Sequence, residues 1–90
     1  MKYEWDQNKE KQNIKKHHLD FKTAAKALEV GNIIIDFYDA ENSAISGEDR
    51  YIAIVAMEGY LMIVYTLREN ETVSRIISAR KLTEREVNRL

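Results

Sequence analysis

Two apolar runs separated by a glycine set the limits on what this chain can fold into. Arg50-Tyr-Ile-Ala-Ile-Val-Ala-Met57 and Tyr60-Leu-Met-Ile-Val-Tyr-Thr-Leu67 flank Glu58-Gly59, a pair that fits a two-residue hairpin turn with glycine at positive φ. Both runs are apolar at odd and even positions alike, so neither strand has a face made for water. They are expected to be the central strands of an antiparallel sheet, with the rest of the chain arranged around them.

The remaining segments supply that surround. Asp6 is an N-cap candidate and is followed by helix formers through Lys16. Within this polar helix only Ile14 is aliphatic, so Trp5, Ile14 and Leu19 are expected to dock it. Asp20 caps a second helix, in which Phe21, Ala24, Ala25 and Leu28 share one face and Gly31 marks the end. Ile33 to Tyr38 is β-branched and aromatic, hence a strand, whereas polar Asp39 to Asp49 is expected to be a loop. Thr72 to Ala79 makes a fourth strand. Thr83 with Glu86 then forms a capping box, with Leu82 and Val87 as its hydrophobic staple, and opens a last helix. The expected fold is one α+β domain over 1–90, with two N-terminal helices, a four-stranded antiparallel sheet and a C-terminal helix.

Neither apolar run approaches the ~18 residues of a bilayer span, and the polar N-terminus lacks the core of a signal peptide. A soluble, cytoplasmic protein is expected, with no membrane association. The chain has no cysteine, which removes disulfides and thiolate metal sites. No phosphate loop, calcium loop or serine elbow is present, and His17 and His18, as helix neighbours, point ~100° apart and do not chelate. No metal or cofactor is expected.

The net charge of −1 conceals a pattern. Residues 1–28 hold seven Lys against four acids, residues 29–71 hold two Arg against nine acids, and residues 72–90 hold five cations against two acids. If the two ends fold together they form one basic face on an acidic molecule, as a phosphate-binding surface requires; solvated terminal helices account for the same count. The segment Arg75-Ile-Ile-Ser-Ala-Arg-Lys81 poses the same choice. Strict alternation puts Arg75, Ile77 and Ala79 on one face. Its arginines suit bidentate phosphate binding, or they guard an exposed edge strand. Lys15-Lys16-His17-His18 closes the first helix, where cations complement the helix dipole and an imidazole can serve as general acid or base.

Glu4-Trp5-Asp6, Asn13-x-x-Lys16-His17, Phe21-x-x-Ala24, Gly47-Glu48-x-Arg50-Tyr51, Tyr65-Thr66 and Arg75 to Lys81 followed by Thr83-x-Arg85-Glu86 together resemble the BrnT toxin family over nearly the whole chain. That resemblance implies a RelE-like fold and a ribonuclease that arrests translation. It implies a BrnA-like antitoxin as partner, RNA as substrate, and operator DNA reached only through the antitoxin. By position it implies a catalytic set of Lys16, His17, Glu48, Arg50, Arg75 and Arg80, with Lys15, Lys81, Ser78 and Tyr65 binding substrate. Either His17 or Glu48 would take the ribose 2′-OH proton while the cations stabilise the developing charge. The family usually has glycine where this chain has His18, and the turn before Arg75 is longer here. A catalytically silent module that docks an antitoxin or nucleic acid, or a small subunit of a larger complex, would share the fold; the first would have its cations spread apart or already paired with acids.

Overall fold

A computed structural model describes residues 1–90. The elements run β1 (Lys2–Trp5), α1 (Gln7–His17), α2 (Phe21–Val30), β2 (Asn32–Tyr38), α3 (Ala40–Ser46), β3 (Tyr51–Ala56), β4 (Tyr60–Arg68), β5 (Val73–Lys81) and α4 (Glu84–Val87). The strands form one sheet in the order β1-β5-β4-β3-β2. As expected, the two apolar runs are interior strands, joined by a hairpin whose loop takes three residues, Met57–Gly59, rather than two. Glu58 and Gly59 both adopt positive φ, as a turn matching the strand twist demands.

Three expectations are corrected. The sheet has five strands and is mixed, because Lys2–Trp5 adds as β1, parallel to β5. Four residues are too short a signal to stand out in sequence, and their place is settled by pairing with the far end of the chain. The supposed loop contains α3, where the Asp39 carboxylate accepts the Asn42 N–H and Gly47 closes the helix at φ 78; polar composition masked an intact cap and stop. The last strand is flanked by β1 and β4 as far as Ile76, so the edge-strand account falls away for Arg75.

Helix α2 lays Phe21, Ala24 and Ala27 on the sheet, against Val55, Ile63 and Ile76, all fully or almost fully buried. Small residues on this face bring helix and sheet close. A Cβ on Gly31 would lie 2.4 Å from Val55 Cγ1, so glycine here is imposed by close approach. Helix α1 docks partly as expected, with Leu19 in the core and Trp5 packed against it. Ile14 stays largely exposed, and the buried residue is Asn13. Its amide donates to the carbonyls of Leu19 and Ala79, 2.8 Å each, and accepts the Ala79 N–H at 3.1 Å. Where β1 stops, the Asn13 side chain therefore continues the pairing of β5 in place of a strand. Trp5 packs edge-on against Phe21, and the Glu10 carboxylate takes the Phe21 N–H, tying α1 to the start of α2.

The long turn before β5 is left-handed: Glu69, Asn70 and Glu71 have φ of 51°, 55° and 67°. Such geometry costs about 1–2 kcal/mol per residue away from glycine. It is offset in part by the Thr72 N–H and hydroxyl, both of which donate to the Glu69 carbonyl.

Candidate functional site

Strict alternation in β5 is broken. Val64 pairs with Ser78 but Tyr65 pairs with Ile76, leaving Ile77 as an extra residue. This β-bulge reverses the side-chain phase for the rest of the strand. Ile76 and Ala79 consequently both face the helices, and Arg75 and Arg80 share the opposite face. Alternation without the bulge would have set the two arginines on opposite sides.

The face away from α2 carries four arginines around an apolar centre of Ile52, Ile54, Met62 and Val64. At one end Arg75 lies across from Thr66, and Arg50, just ahead of Tyr51, continues that row on β3, two strand spacings or about 10 Å away. Arg75 Nη1 donates to Glu4 at 2.5 Å. Glu48 sits between two cations, 3.0 Å from Arg68 and 3.7 Å from Arg50. The Arg50 Nε–H is buried without an acceptor, an unmet donor within this charged cluster.

Arg80 stands opposite Met62, about 13 Å further along the strand. Its guanidinium grips Glu86 in two parallel hydrogen bonds of 2.7 and 2.8 Å, while Glu86 also accepts the Thr83 N–H in the expected capping box. The hydrogen bonds from Arg80, and then those from Thr83, hold the Glu86 carboxyl down at about 2, and the same contact raises Arg80. Nearby, Lys16 and half-buried His17 line an open cleft of about 240 Å³ with Asn13, Ile77 and Ser78. His18 ends α1 in the left-handed conformation, φ 58, with its N–H on the Ile14 carbonyl, so it performs the role that glycine usually takes. Lys15, Lys16 and Lys81 make no ion pair.

The expected residues thus form two groups on connected surfaces: Glu48, Arg50 and Arg75 at one end, and Lys16, His17, Ser78 and Arg80 at the other, with Lys15 and Lys81 exposed beside the second. Tyr65 is not brought to them. It is buried on the helix side, its hydroxyl donating to Asp36 at 2.7 Å, and burial plus that carboxylate push its ionisation upward. The basic residues share one face in two groups, and each arginine there is already matched with a carboxylate.

Residues 5–86 match the family described as the ribonuclease toxin BrnT of type II toxin–antitoxin systems. The chain belongs to the BrnT family. A crystal structure of the Brucella abortus ribonuclease toxin BrnT has the same fold, with a TM-score of 0.66 at 22% identity, over 93% of this chain and 99% of that one. No curated protein matches. Membership makes this BrnT chain the ribonuclease toxin of a toxin–antitoxin pair, with a protein antitoxin as its partner. No helix is long and apolar enough to cross a membrane.

Sequence reasoning assigned no role to Asn13, Glu4 or Arg68, and assigned Glu86 only its place in the capping box. Asn13 carried one usable signal, a polar residue at the inward position of a helix almost devoid of apolar side chains. The carboxylate partners had none, since Glu4 and Arg75 are 71 residues apart.

Proposed function

We propose that this BrnT chain cleaves RNA without a metal ion, by attack of a ribose 2′-OH on the neighbouring phosphate that breaks the P–O5′ bond and releases a 5′-OH end, and is neutralised by a BrnA-like antitoxin in the cytoplasm. The observation that carries this reading is the Ile77 bulge, which sets Arg75 and Arg80 on one face, with Ile77 itself in the wall of the Lys16–His17 cleft. His17 stands at the cleft as general base, and Lys16 and Arg80 meet the charge that develops on the phosphate oxygens. Ser78 contributes a hydroxyl to the same wall. Arg50 and Arg75 hold the strand further along the sheet face, with Glu48 orienting Arg50.

The prior pairing of each arginine with Glu4, Glu48 or Glu86 favours a second reading, a silent docking module. In the ribonuclease reading those carboxylates keep the guanidinium groups in place until phosphate displaces them, as charge-assisted pairs at a solvent-facing surface allow. Purified protein incubated with RNA in excess EDTA decides between the two. Cleavage leaving 2′,3′-cyclic phosphate ends is expected, with losses of about 100-fold or more in His17→Ala and Arg80→Ala. Wild-type rates in both variants would remove the assignment, cleavage abolished by EDTA would remove the metal-free route, and no cleavage at all would leave the docking module.

A further inference from the structure

β2 is an edge strand with nothing on its outer side. It pairs only with β3, and all seven of its residues are exposed. Five of them are large and apolar: Ile33, Ile34, Ile35, Phe37 and Tyr38 are each 40–50% exposed. Edge strands of soluble proteins normally carry lysine, proline or an inward charge that prevents further pairing. This one has neither lysine nor proline. Its one inward charge, Asp36, is engaged on the helix face by the Tyr65 hydroxyl, and it is the only charge among the strand's side chains. A bulge at Ile34 separates the Ile33–Val55 and Ile35–Ile54 pairs, and from Ile35 to Tyr38 the strand offers a regular row of free backbone donors and acceptors to an extended segment.

Two further observations describe what fits there. From Glu29 to Asp49 the chain has six carboxylates and no Lys or Arg, so the surroundings of the edge are acidic. A second copy of this chain would bring acid against acid, whereas a basic segment would be drawn in. Beside β2, on the part of the helix face that α2 leaves uncovered, lies an apolar cavity of about 230 Å³ lined by Leu28, Ile33, Leu67 and Ser74 among others. The Ser74 hydroxyl is buried there without a hydrogen-bond partner, which a native fold seldom tolerates.

We propose that β2 is the antitoxin-docking edge, where an extended apolar and basic segment of the antitoxin adds as a sixth strand and sets a side chain against the Ile33 side of that cavity. The inference rests on the toxin–antitoxin reading. It places the partner's main contact at the end of the sheet remote from Lys16, His17 and Arg80, since β5 is three strands away from β2. Strand addition supplies affinity through main-chain bonds, and the alternate side chains supply specificity.

The test uses the full-length toxin and the purified product of the adjacent small gene. Amide exchange followed by NMR should show alternate β2 amides, those pointing away from β3, slowed at least 10-fold on complex formation. Ile34→Lys, which places a guard charge on the edge, combined with Glu41→Lys in α3, which reverses one of the surrounding acidic charges, should weaken binding at least tenfold and leave RNA cleavage by the free toxin unchanged. Tight binding with unprotected β2 amides and an unaffected double variant would overturn the proposal while leaving the antitoxin partnership intact. Failure of the wild type to bind the adjacent gene product would instead remove the partnership itself. A concentration-dependent dimer of the free toxin that the double variant abolishes would overturn the proposal in favour of self-pairing.

Discussion

Asn13 shows how much one side chain decides here. Its amide meets three backbone groups, two on Ala79 and one on Leu19, and so fixes the end of α1, with Lys16 and His17, against the β5 bulge. Asn13→Ala leaves those buried groups without partners, at about 1–3 kcal/mol for each group that water does not reach. We expect a total loss of about 2–4 kcal/mol, a fall in Tm of roughly 10–20 °C for a domain of this size, and reduced RNA cleavage at temperatures where the variant is still folded. A Tm within about 3 °C of wild type on calorimetry would show that α1 is held by other contacts. His18 is the opposite case, since its left-handed conformation was foreseeable from the helix end that Lys-His-His describes, and the chain accommodates it with a residue better suited to it than most.

At the scale of elements, α4 is defined by one carboxylate with two tasks. Glu86 closes the capping box on Thr83 and clasps Arg80. Its pKa in the folded protein, about 2, lies below the ordinary carboxylate value of 4.5. A group depressed in this way contributes stability above its unfolded pKa, and the contribution is lost as pH falls from about 4.5 through about 2. The Arg80–Glu86 contact should therefore persist through mildly acidic solution. A carbon-detected NMR titration of the Glu86 carboxyl is expected to show a midpoint near 2, with faster amide exchange in α4 only at the acid end. A midpoint at 4.5 would mean that Arg80 is free in solution. The capping box was legible because its residues lie three apart; the Arg80 clasp was not, because the bulge decides where Arg80 points. The same contrast separates α3, whose Asp39 cap and Gly47 stop were present but outvoted by polar composition, from the β3–β4 hairpin, where apolar runs and glycine agreed.

At the scale of the whole molecule, charge is divided between the chain's ends and its middle, and the fold turns that division into geography. β1 and β5, contributed by opposite ends of the chain, lie side by side, whereas the acidic middle surrounds β2 at the other edge. If about four phosphates are engaged at the basic end, log K for single-stranded RNA should fall against log salt with a slope near −3. Filter binding or fluorescence anisotropy over a salt series measures it, and a slope near zero would show that the arginines remain committed to their carboxylates. The sequence by itself determined the central hairpin, the first two helices with their caps, the final capping box and the family, because these depend on residues a few positions apart or on the order of short motifs. Tertiary structure alone decided the fifth strand, the shared face of Arg75 and Arg80, the burial of Asn13 and the pairing of each arginine. The pairing of Arg50 and Arg68 with Glu48 follows from β3 lying beside β4, and the rest depends on one event that spacing along the chain does not record: the two ends meet at β5, and the Ile77 bulge they enclose reverses which side chains face the core.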